Sequence, residues 1–298
     1  MLSSCFSSRS WRRIIAALLT CAALLGLQSC SAARLGYGQA ADLLYWWIDG
    51  YFEVNSAQTP RLRDELATLH QWHRTSELPR YATLLQKTQQ NIPRDVTAAQ
   101  VCGLWGDVRT LMDGLMARAL DPVAELALTL TTSQLEHLQR KFDKNNDEFM
   151  RNFQRGSDAE RKERRLKTAI ERAESIYGRL DEAQLAAVRV TVQSSGFDTR
   201  LSNAERLRRQ QDLQQTLRKL LADKASPAQA KAAIAAYLER SWTSPEPRQR
   251  AYQERSLQES CSNIALIHNS TTPAQRAKAV QFFNNYEMDA RSLVAPRG

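Results

Sequence analysis

Two groups of polar residues have the spacing of metal ligands. His70 and His73 lie one turn apart on a predicted helix, where such a pair can share one metal ion. A closed zinc site needs four ligands and a catalytic one about three, and no third ligand is indicated nearby. We therefore predict that the two histidines pack or form hydrogen bonds, and that the protein holds no metal and no cofactor.

A second group, Asp143, Asn145 and Asp147, resembles the start of a calcium-binding loop. Its sixth position is Glu148, where the sharp turn demands glycine, and its twelfth is Gln154, where a bidentate glutamate is needed. We predict a polar helix face instead. The sequence also has no nucleophile elbow, phosphate-binding glycine-rich loop or zinc-protease motif. We therefore expect a binding protein rather than an enzyme.

The N-terminal segment has the composition of a secretory signal. Residues 1–29 contain three arginines and no acidic residue, and residues 14–27 are almost entirely Ile, Ala and Leu. A helix of this apolar length rises about 21 Å, which is shorter than the roughly 30 Å core of a membrane. We predict that residues 1–29 are a signal peptide. Ordinary secretion and an uncleaved helical anchor are the alternatives to the processing described next.

The signal ends at Leu27-Gln28-Ser29-Cys30, which resembles the lipobox of bacterial lipoproteins, although Ala, Ser or Thr is more usual in place of Gln28. The resemblance implies that Cys30 carries three acyl chains, palmitate among them, and stable anchoring needs more than one chain. Ser31 follows the cysteine, which by analogy with enterobacterial sorting favours the outer membrane. We expect a lipid anchor at Cys30, a tether over residues 30–38 and a domain facing the periplasm.

Two of the five cysteines remain once the signal is removed and Cys30 is acylated. They are Cys102 and Cys261, and an exported compartment is oxidising. A bridge between them would close a loop of about 160 residues and stabilise the fold by roughly 3 to 5 kcal/mol. Each also falls on an apolar helical stripe, so two buried free thiols are the alternative.

The chain is basic, and its net charge falls from +9 to +6 when residues 1–29 leave. Two basic clusters contain Arg164 and Arg165, and Arg208 and Arg209. We interpret them as solvated helix faces, with contact to lipid phosphates or acidic polypeptides as the alternative. An exported protein does not meet nucleic acid, so we expect none as a partner.

A helix-start signature recurs along the mature region: Ser, Thr or Asp, followed three residues later by Gln or Glu. The pairs are Thr97–Gln100, Thr131–Gln134, Ser157–Glu160, Asp181–Gln184, Ser202–Glu205, Ser226–Gln229 and Thr272–Gln275. Apolar residues between them recur at spacings of three and four. We therefore predict an all-α fold, a multi-helix bundle or stacked helical array, in a single domain over residues 39–298.

An aromatic segment lies about a dozen residues after Cys30 and includes Tyr45, Trp46 and Trp47. Aromatic rings favour the membrane interface, where one edge is apolar and the other wet. Acidic residues within and beside the segment argue against deep insertion. We predict that this segment is a buried first helix, with membrane contact or partner binding as the alternative.

With these features in place, the sequence resembles an uncharacterised family of proteobacterial lipoproteins that is known only as a domain of unknown function. The matching stretches cover nearly all of the mature chain: residues 41–47, 72–74, 78–81, 130–134, 173–178, 208–212 and 268–273. The resemblance implies a helical lipoprotein, and it indicates no biochemical activity. A much shorter resemblance links residues 130–134, with their L-T-x-x-Q pattern, to small periplasmic stress chaperones.

From the sequence we expect a membrane-anchored protein that acts by binding, with envelope proteins among its possible partners. A chaperone-like role towards unfolded envelope proteins is one alternative. A hydrolase acting on envelope polymers is the alternative among enzymes.

Overall fold

A computed structural model describes residues 34–151 and 155–294. These residues form eleven α-helices and no strand, which confirms the all-α prediction. The helices are α1 Ala40–Phe52, α2 Thr59–Trp72, α3 Leu78–Asn91, α4 Ala98–Thr129, α5 Thr132–Phe149, α6 Asp158–Tyr177, α7 Glu182–Gln193, α8 Thr199–Ala222, α9 Pro227–Trp242, α10 Pro247–Asn269 and α11 Pro273–Val294. A π-helical turn, His73–Glu77, joins α2 to α3. The predicted signal peptide and Cys30 lie outside the described residues.

Six of the seven predicted capping boxes are present in the structure. They start α4, α5, α6, α7, α9 and α11, each with a side chain that accepts from the third backbone N–H and a Gln or Glu that returns the bond. The helix starts were readable because these bonds join residues only three apart.

The seventh prediction, Ser202–Glu205, is wrong, because α8 is capped by Asp198, four residues before Ser202. The carboxylate of Asp198 accepts hydrogen bonds from the backbone N–H groups of Arg200 and Leu201 and caps the helix. Ser202 therefore lies within α8, where its hydroxyl donates to the carbonyl of Asp198 at 2.9 Å. Glu205 is left free for other contacts.

Two cap glutamines also bind each other across the fold. The amide nitrogen of Gln134 donates to the side-chain oxygen of Gln58 at 2.8 Å, and Gln58 returns the bond at 3.3 Å. Gln58 belongs to a capping box that the sequence pattern missed, because its partner is Asn55. The same two amides also satisfy the backbone carbonyls of Glu53 and Thr129. The pair ties the start of α2 to the start of α5.

A second pair has the same arrangement at the starts of α7 and α11. Gln184 and Gln275 exchange amide hydrogen bonds at 2.8 and 2.9 Å. Each also donates to a carbonyl at a helix end, Gln184 to Ser270 and Gln275 to Arg179. Gln134 and Gln184 are both buried, with 5% and 3% of their surface exposed.

Apolar packing is divided among four clusters. The largest joins α4, α5, α8 and α9 and includes Leu138, Leu217 and Ile234. Smaller clusters join α6 to α7, α1 to α2, and α3 to α11. Such a division is that of a helical array, in which each helix is buried mainly against its neighbours, rather than of a bundle around one central core.

The prediction that the first helix is buried is only half correct. Tyr45 is buried beside α2, whereas Leu43, Trp46 and Trp47 are 50%, 62% and 59% exposed. The physical reason is that α1 packs on α2 and α5 and on no helix at its other face among the described residues. Residues 34–38, which the sequence predicts to belong to a tether, are helical, and Tyr37 packs against the α3–α11 cluster.

Cys102 on α4 and Cys261 on α10 form a disulfide, with Cα atoms 5.5 Å apart. The two residues are 159 positions apart in the sequence, and α4 and α10 are packed neighbours. In the chain-entropy model, a bridge that closes a loop of this length stabilises the folded protein by roughly 3 to 5 kcal/mol, because it restricts the unfolded chain. The bridge therefore holds the last third of the chain against the long central helix.

The paired glutamines predict unequal costs for otherwise similar substitutions. Gln134→Ala should lower the free energy of unfolding by about 1 to 3 kcal/mol, because it removes the buried bond to Gln58 and the donor to the carbonyl of Glu53 as well as the cap itself. Gln229→Ala removes an exposed cap glutamine and should cost about 1 kcal/mol or less. Urea unfolding followed by circular dichroism measures both, and equal losses would contradict the role of the pair.

Candidate functional site

A cleft of about 620 Å³ lies among α1, α5, α8, α9 and α10. Eight of its fifteen lining side chains are apolar or aromatic, and the polar ones come from α8 and α10. The lining residues are Trp47, Tyr51, Phe52, Leu138, Phe142, Ser202, Glu205, Arg206, Arg209, Gln210, Leu213, Tyr237, Gln249, Tyr252 and Gln253. Its volume is in the range of small-molecule sites, which are about 300 to 1,000 Å³.

The aromatic wall is formed mainly by α1 and α5. The rings of Trp47 and Tyr51 lie with centroids 4.8 Å apart, and Tyr51 meets Phe142 edge to face at 6.2 Å. The hydroxyl of Tyr51 accepts a hydrogen bond from Asn145 on α5 at 2.9 Å. Since one end of Tyr51 is held and both neighbouring rings contact it, this wall is ordered before any ligand binds.

Tyr252 holds the start of α8 against α10. Its hydroxyl accepts from the backbone N–H of Asp198 at 3.0 Å and lies 3.1 Å from the hydroxyl of Ser202. Tyr252 is 7% exposed. This contact places the first turns of α8, and with them the polar wall, at the edge of the cleft.

Glu205 is the centre of the polar wall and is buried, with 6% of its side chain exposed. Its carboxylate accepts hydrogen bonds from Arg208 at 2.8 and 2.9 Å, from Arg209 at 2.9 Å and from Ser244 at 3.0 Å. Burial raises the pKa of Glu205, but these hydrogen bonds outweigh burial and hold the pKa below its ordinary value of 4.5. Glu205 is therefore ionised and fully engaged at neutral pH.

Asp212 continues the network two helical turns further along α8. Arg240 on α9 donates to it at 2.6 and 2.9 Å, and Arg208 donates at 3.2 Å. The hydrogen bonds from Arg240 lower the pKa of Asp212, and burial opposes them only partly. Arg208 also donates to the backbone carbonyl of Arg240 at 2.7 Å. Arg208 thus joins both carboxylates to the end of α9.

Arg206 differs from the other arginines of this wall. It donates to the side chains of Asn146 and Asn203, and its guanidinium carbon lies 4.2 Å from the centre of the Phe149 ring. None of the carboxylates in residues 34–151 and 155–294 forms an ion pair with it, and its Nε is buried without an acceptor there. Burial lowers the pKa of Arg206 below its ordinary value.

The wall carries an excess of positive charge. Among the lining residues, Arg206 and Arg209 are positively charged and Glu205 is negatively charged, which leaves one positive charge in excess. Behind them, Arg208 and Arg240 pair with Glu205 and Asp212. A carboxylate that is saturated by arginines is poorly placed to transfer protons. The arrangement is suited to binding a ligand that has an apolar part and a negatively charged part.

The residues predicted from the sequence are only partly brought together. Trp47 and Arg209 line the cleft, and Arg208 lies behind it in the ion network. Tyr45 instead packs beneath Arg63 and bonds to Thr59, while Trp46 faces solvent.

The basic cluster that contains Arg164 and Arg165 is not part of the cleft. Arg164 donates to the carbonyl of Arg155, and Arg165 lies against the ring of Phe197. In the sequence, Arg206 belongs to the same basic run as Arg208 and Arg209, and Tyr51 follows the aromatic segment, whereas no pattern pointed to Tyr252.

The two histidines pack with aromatic residues, as the sequence predicts. His73 forms a hydrogen bond to the hydroxyl of Tyr37 at 2.9 Å, and its ring lies beside Tyr81. His70 contacts the ring of Tyr37. Burial lowers the pKa of both histidines. In the part of the chain that the structure describes, no group of three or more His, Cys, Asp or Glu residues is placed to hold a metal ion.

None of the described helices has the length and apolar character needed to cross a membrane.

A family model described as a family of unknown function, DUF6279, matches residues 50–244. The matched region includes the whole of α5 and α8, which supply parts of both walls of the cleft. No curated protein and no solved structure matches the chain.

The low pKa of Glu205 predicts an acid-sensitive fold. A carboxylate with a pKa depressed by folding stabilises the native state above about pH 4.5, and this contribution is lost as the pH falls through the lower folded-state pKa. Glu205→Gln should reduce the free energy of unfolding by roughly 3 kcal/mol at pH 7 and flatten its fall below pH 4.5. Glu163→Gln, at an exposed position on α6, should leave the curve unchanged. Denaturant titrations from pH 7 to 3 test this, and parallel curves for the Glu205 variant and the parent would refute it.

Proposed function

The chain belongs to the DUF6279 family of unknown function, and we propose that it is a lipid-anchored binding protein whose ligand occupies the cleft between α1, α5, α8 and α10. Membership agrees with the resemblance to a domain of unknown function seen in the sequence. One observation carries the proposal: the cleft combines an ordered aromatic wall with a wall that has excess positive charge. Acylation at Cys30 would hold this cleft near the outer membrane, on its periplasmic side.

The start of the described chain supports an anchor close to the domain. Arg34 is the first described residue, four positions after Cys30, and it forms an ion pair with Asp289 on α11 at 3.2 Å. Four residues span at most about 14 Å even when fully extended. A lipid on Cys30 would therefore keep the domain within a short distance of the membrane surface.

The exposed face of α1 supports contact with that surface. Leu43, Trp46 and Trp47 lie at spacings of three and four, and therefore on one side of the helix. Tryptophan favours the membrane interface. We propose that this face rests on the membrane that holds the anchor.

The acidic residues of α1 do not oppose such contact. Asp42 is paired with Arg63 at 2.8 Å, so its charge is balanced by a neighbour. Asp49 accepts a hydrogen bond from the backbone N–H of Val54 and closes the end of the helix. Both carboxylates are engaged within the protein, which weakens the argument from charge against membrane contact.

Acylation of the Cys30 sulfur can be tested directly. We expect mass spectrometry of the native protein to find an N-terminal peptide that begins at Cys30 and carries acyl chains. Cys30→Ser should abolish incorporation of labelled palmitate, and the control Cys21→Ser should leave it intact, because Cys21 lies in the predicted signal. A native protein that starts elsewhere, or labels equally in both variants, would remove the anchor from the proposal.

Membrane contact of α1 is tested by tryptophan quenching. In vesicles that contain brominated phospholipid, the fluorescence of the anchored protein should be quenched, since Trp46 and Trp47 would lie at the lipid surface. Trp46→Phe/Trp47→Phe should lose most of this quenching. The control Trp105→Phe removes a tryptophan of similar exposure, 49%, on α4 and should change it little. Equal quenching in the two variants would show that α1 does not rest on the membrane.

A further inference from the structure

Arg206 is a half-buried charge that has no carboxylate partner among the described residues. A buried charge is costly unless a partner of opposite sign or sufficient hydrogen bonds offset the lost hydration. Arg206 has two amide acceptors and the face of an aromatic ring, and its buried Nε has no acceptor within the described ranges. The neighbouring Arg209 donates from Nε to Glu205, and the side chain of Arg209 is 40% exposed. An anion at the polar wall would meet the positive charges of Arg206 and Arg209, because both side chains line the cleft.

The opposite wall determines what the rest of the ligand must be. Trp47, Tyr51 and Phe142 present contiguous rings, and none of them carries a charge. Polar side chains are confined to α8 and α10, so the cleft is itself divided into an apolar and a polar side. A polypeptide needs acceptors and donors along both sides of its backbone. A single apolar chain with one charged end needs them at one side only.

Resting on the binding role proposed for this cleft, we propose that its ligand is a single-chain anionic amphiphile. Its carboxylate or phosphate would bind Arg206 and Arg209, and its acyl chain would lie along Trp47, Tyr51 and Phe142. A volume of about 620 Å³ accommodates one such chain. Free fatty acids and lysophospholipids share this chemistry, and the experiment separates them.

Photocrosslinking in a neutral membrane tests the ligand class. The full protein is placed in nanodiscs of phosphatidylcholine and exposed to hexadecanoic acid, hexadecanol or a lysophosphatidylglycerol, each with a diazirine in the acyl chain. We expect the acid, the lysophospholipid or both to label peptides that contain Tyr51 or Phe142 about ten-fold more than the alcohol does. A charged hydrogen bond is worth at least that factor. Comparison of the two anionic probes shows which headgroup is preferred.

Substitutions in each wall test whether the polar wall binds the charged group and the aromatic wall binds the acyl chain. Arg206→Gln should reduce cleft labelling by the anionic probes about ten-fold and leave labelling by the alcohol unchanged, and Arg206→Lys should restore part of it. Arg218→Gln removes a positive charge from the same helix outside this cleft and is the matched control. Trp47→Ala should reduce labelling at Phe142 by all probes, whereas Trp46→Ala should not, because Trp46 does not line the cleft.

Several outcomes would overturn the inference. Equal cleft labelling by the acid, the alcohol and the lysophospholipid would show that no anion is recognised. The same conclusion follows if Arg206→Gln retains parental labelling while its unfolding curve stays cooperative. Labels confined to the exposed face of α1 would place the amphiphile outside the cleft.

Failure of the anchor is separable from failure of this inference. A chain without lipid would be absent from the nanodisc fraction. The same probes would then be applied to it in solution, below their micelle concentrations, with the same variants and the same criteria.

Discussion

Every helix begins with backbone N–H groups that have no partner inside the helix, and the way this chain satisfies them determines how its helices are joined. Six of the eleven described helices start with one of the predicted capping boxes. At two places the cap glutamines also bind each other, Gln58 with Gln134 and Gln184 with Gln275. Each pair connects segments that are far apart in sequence, and each leaves its amide groups satisfied although they are shielded from water.

These connections matter because the fold has no single dominant core. Its four apolar clusters are small, and each is shared by two to four helices. Directional bonds and the Cys102–Cys261 bridge therefore carry much of the long-range order. An array of this kind leaves space between neighbouring helices, and the cleft occupies such a space. Its polar wall is kept in position by Glu205 and Asp212, whose bonds to arginines join α8 to α9 and to Ser244 before α10.

The cleft and the exposed face of α1 share one residue. Trp47 is 59% exposed and also lines the cleft beside Tyr51. Under the proposed attachment at Cys30, the aromatic rim of the cleft would face the membrane surface. An amphiphile could then pass from the lipid to the cleft without exposing its acyl chain to water, which would avoid a cost of about 0.8 kcal/mol for each methylene.

The sequence by itself determined the class of the fold and most helix starts, since capping boxes depend on residues three apart and apolar stripes on helical spacing. If residues 1–29 are removed and Cys30 is acylated, as the sequence predicts, Cys102 and Cys261 are the two cysteines that remain, and the sequence left open whether they are bonded or free. Only the tertiary structure decided which of the tryptophans on α1 stay exposed, because burial depends on the helices that pack against each face.

The tertiary structure also decided that Ser202 and Glu205 do not cap α8. Their spacing is that of a cap, but Asp198 takes that role, and the hydroxyl of Tyr252, 54 residues further along the chain, binds its backbone. Glu205 is thereby available to collect Arg208, Arg209 and Ser244. Asp198 and Ser202 are both ordinary N-cap residues, so local rules allow either start, and the contact of Tyr252 with the backbone of Asp198 forms only when α10 packs against α8.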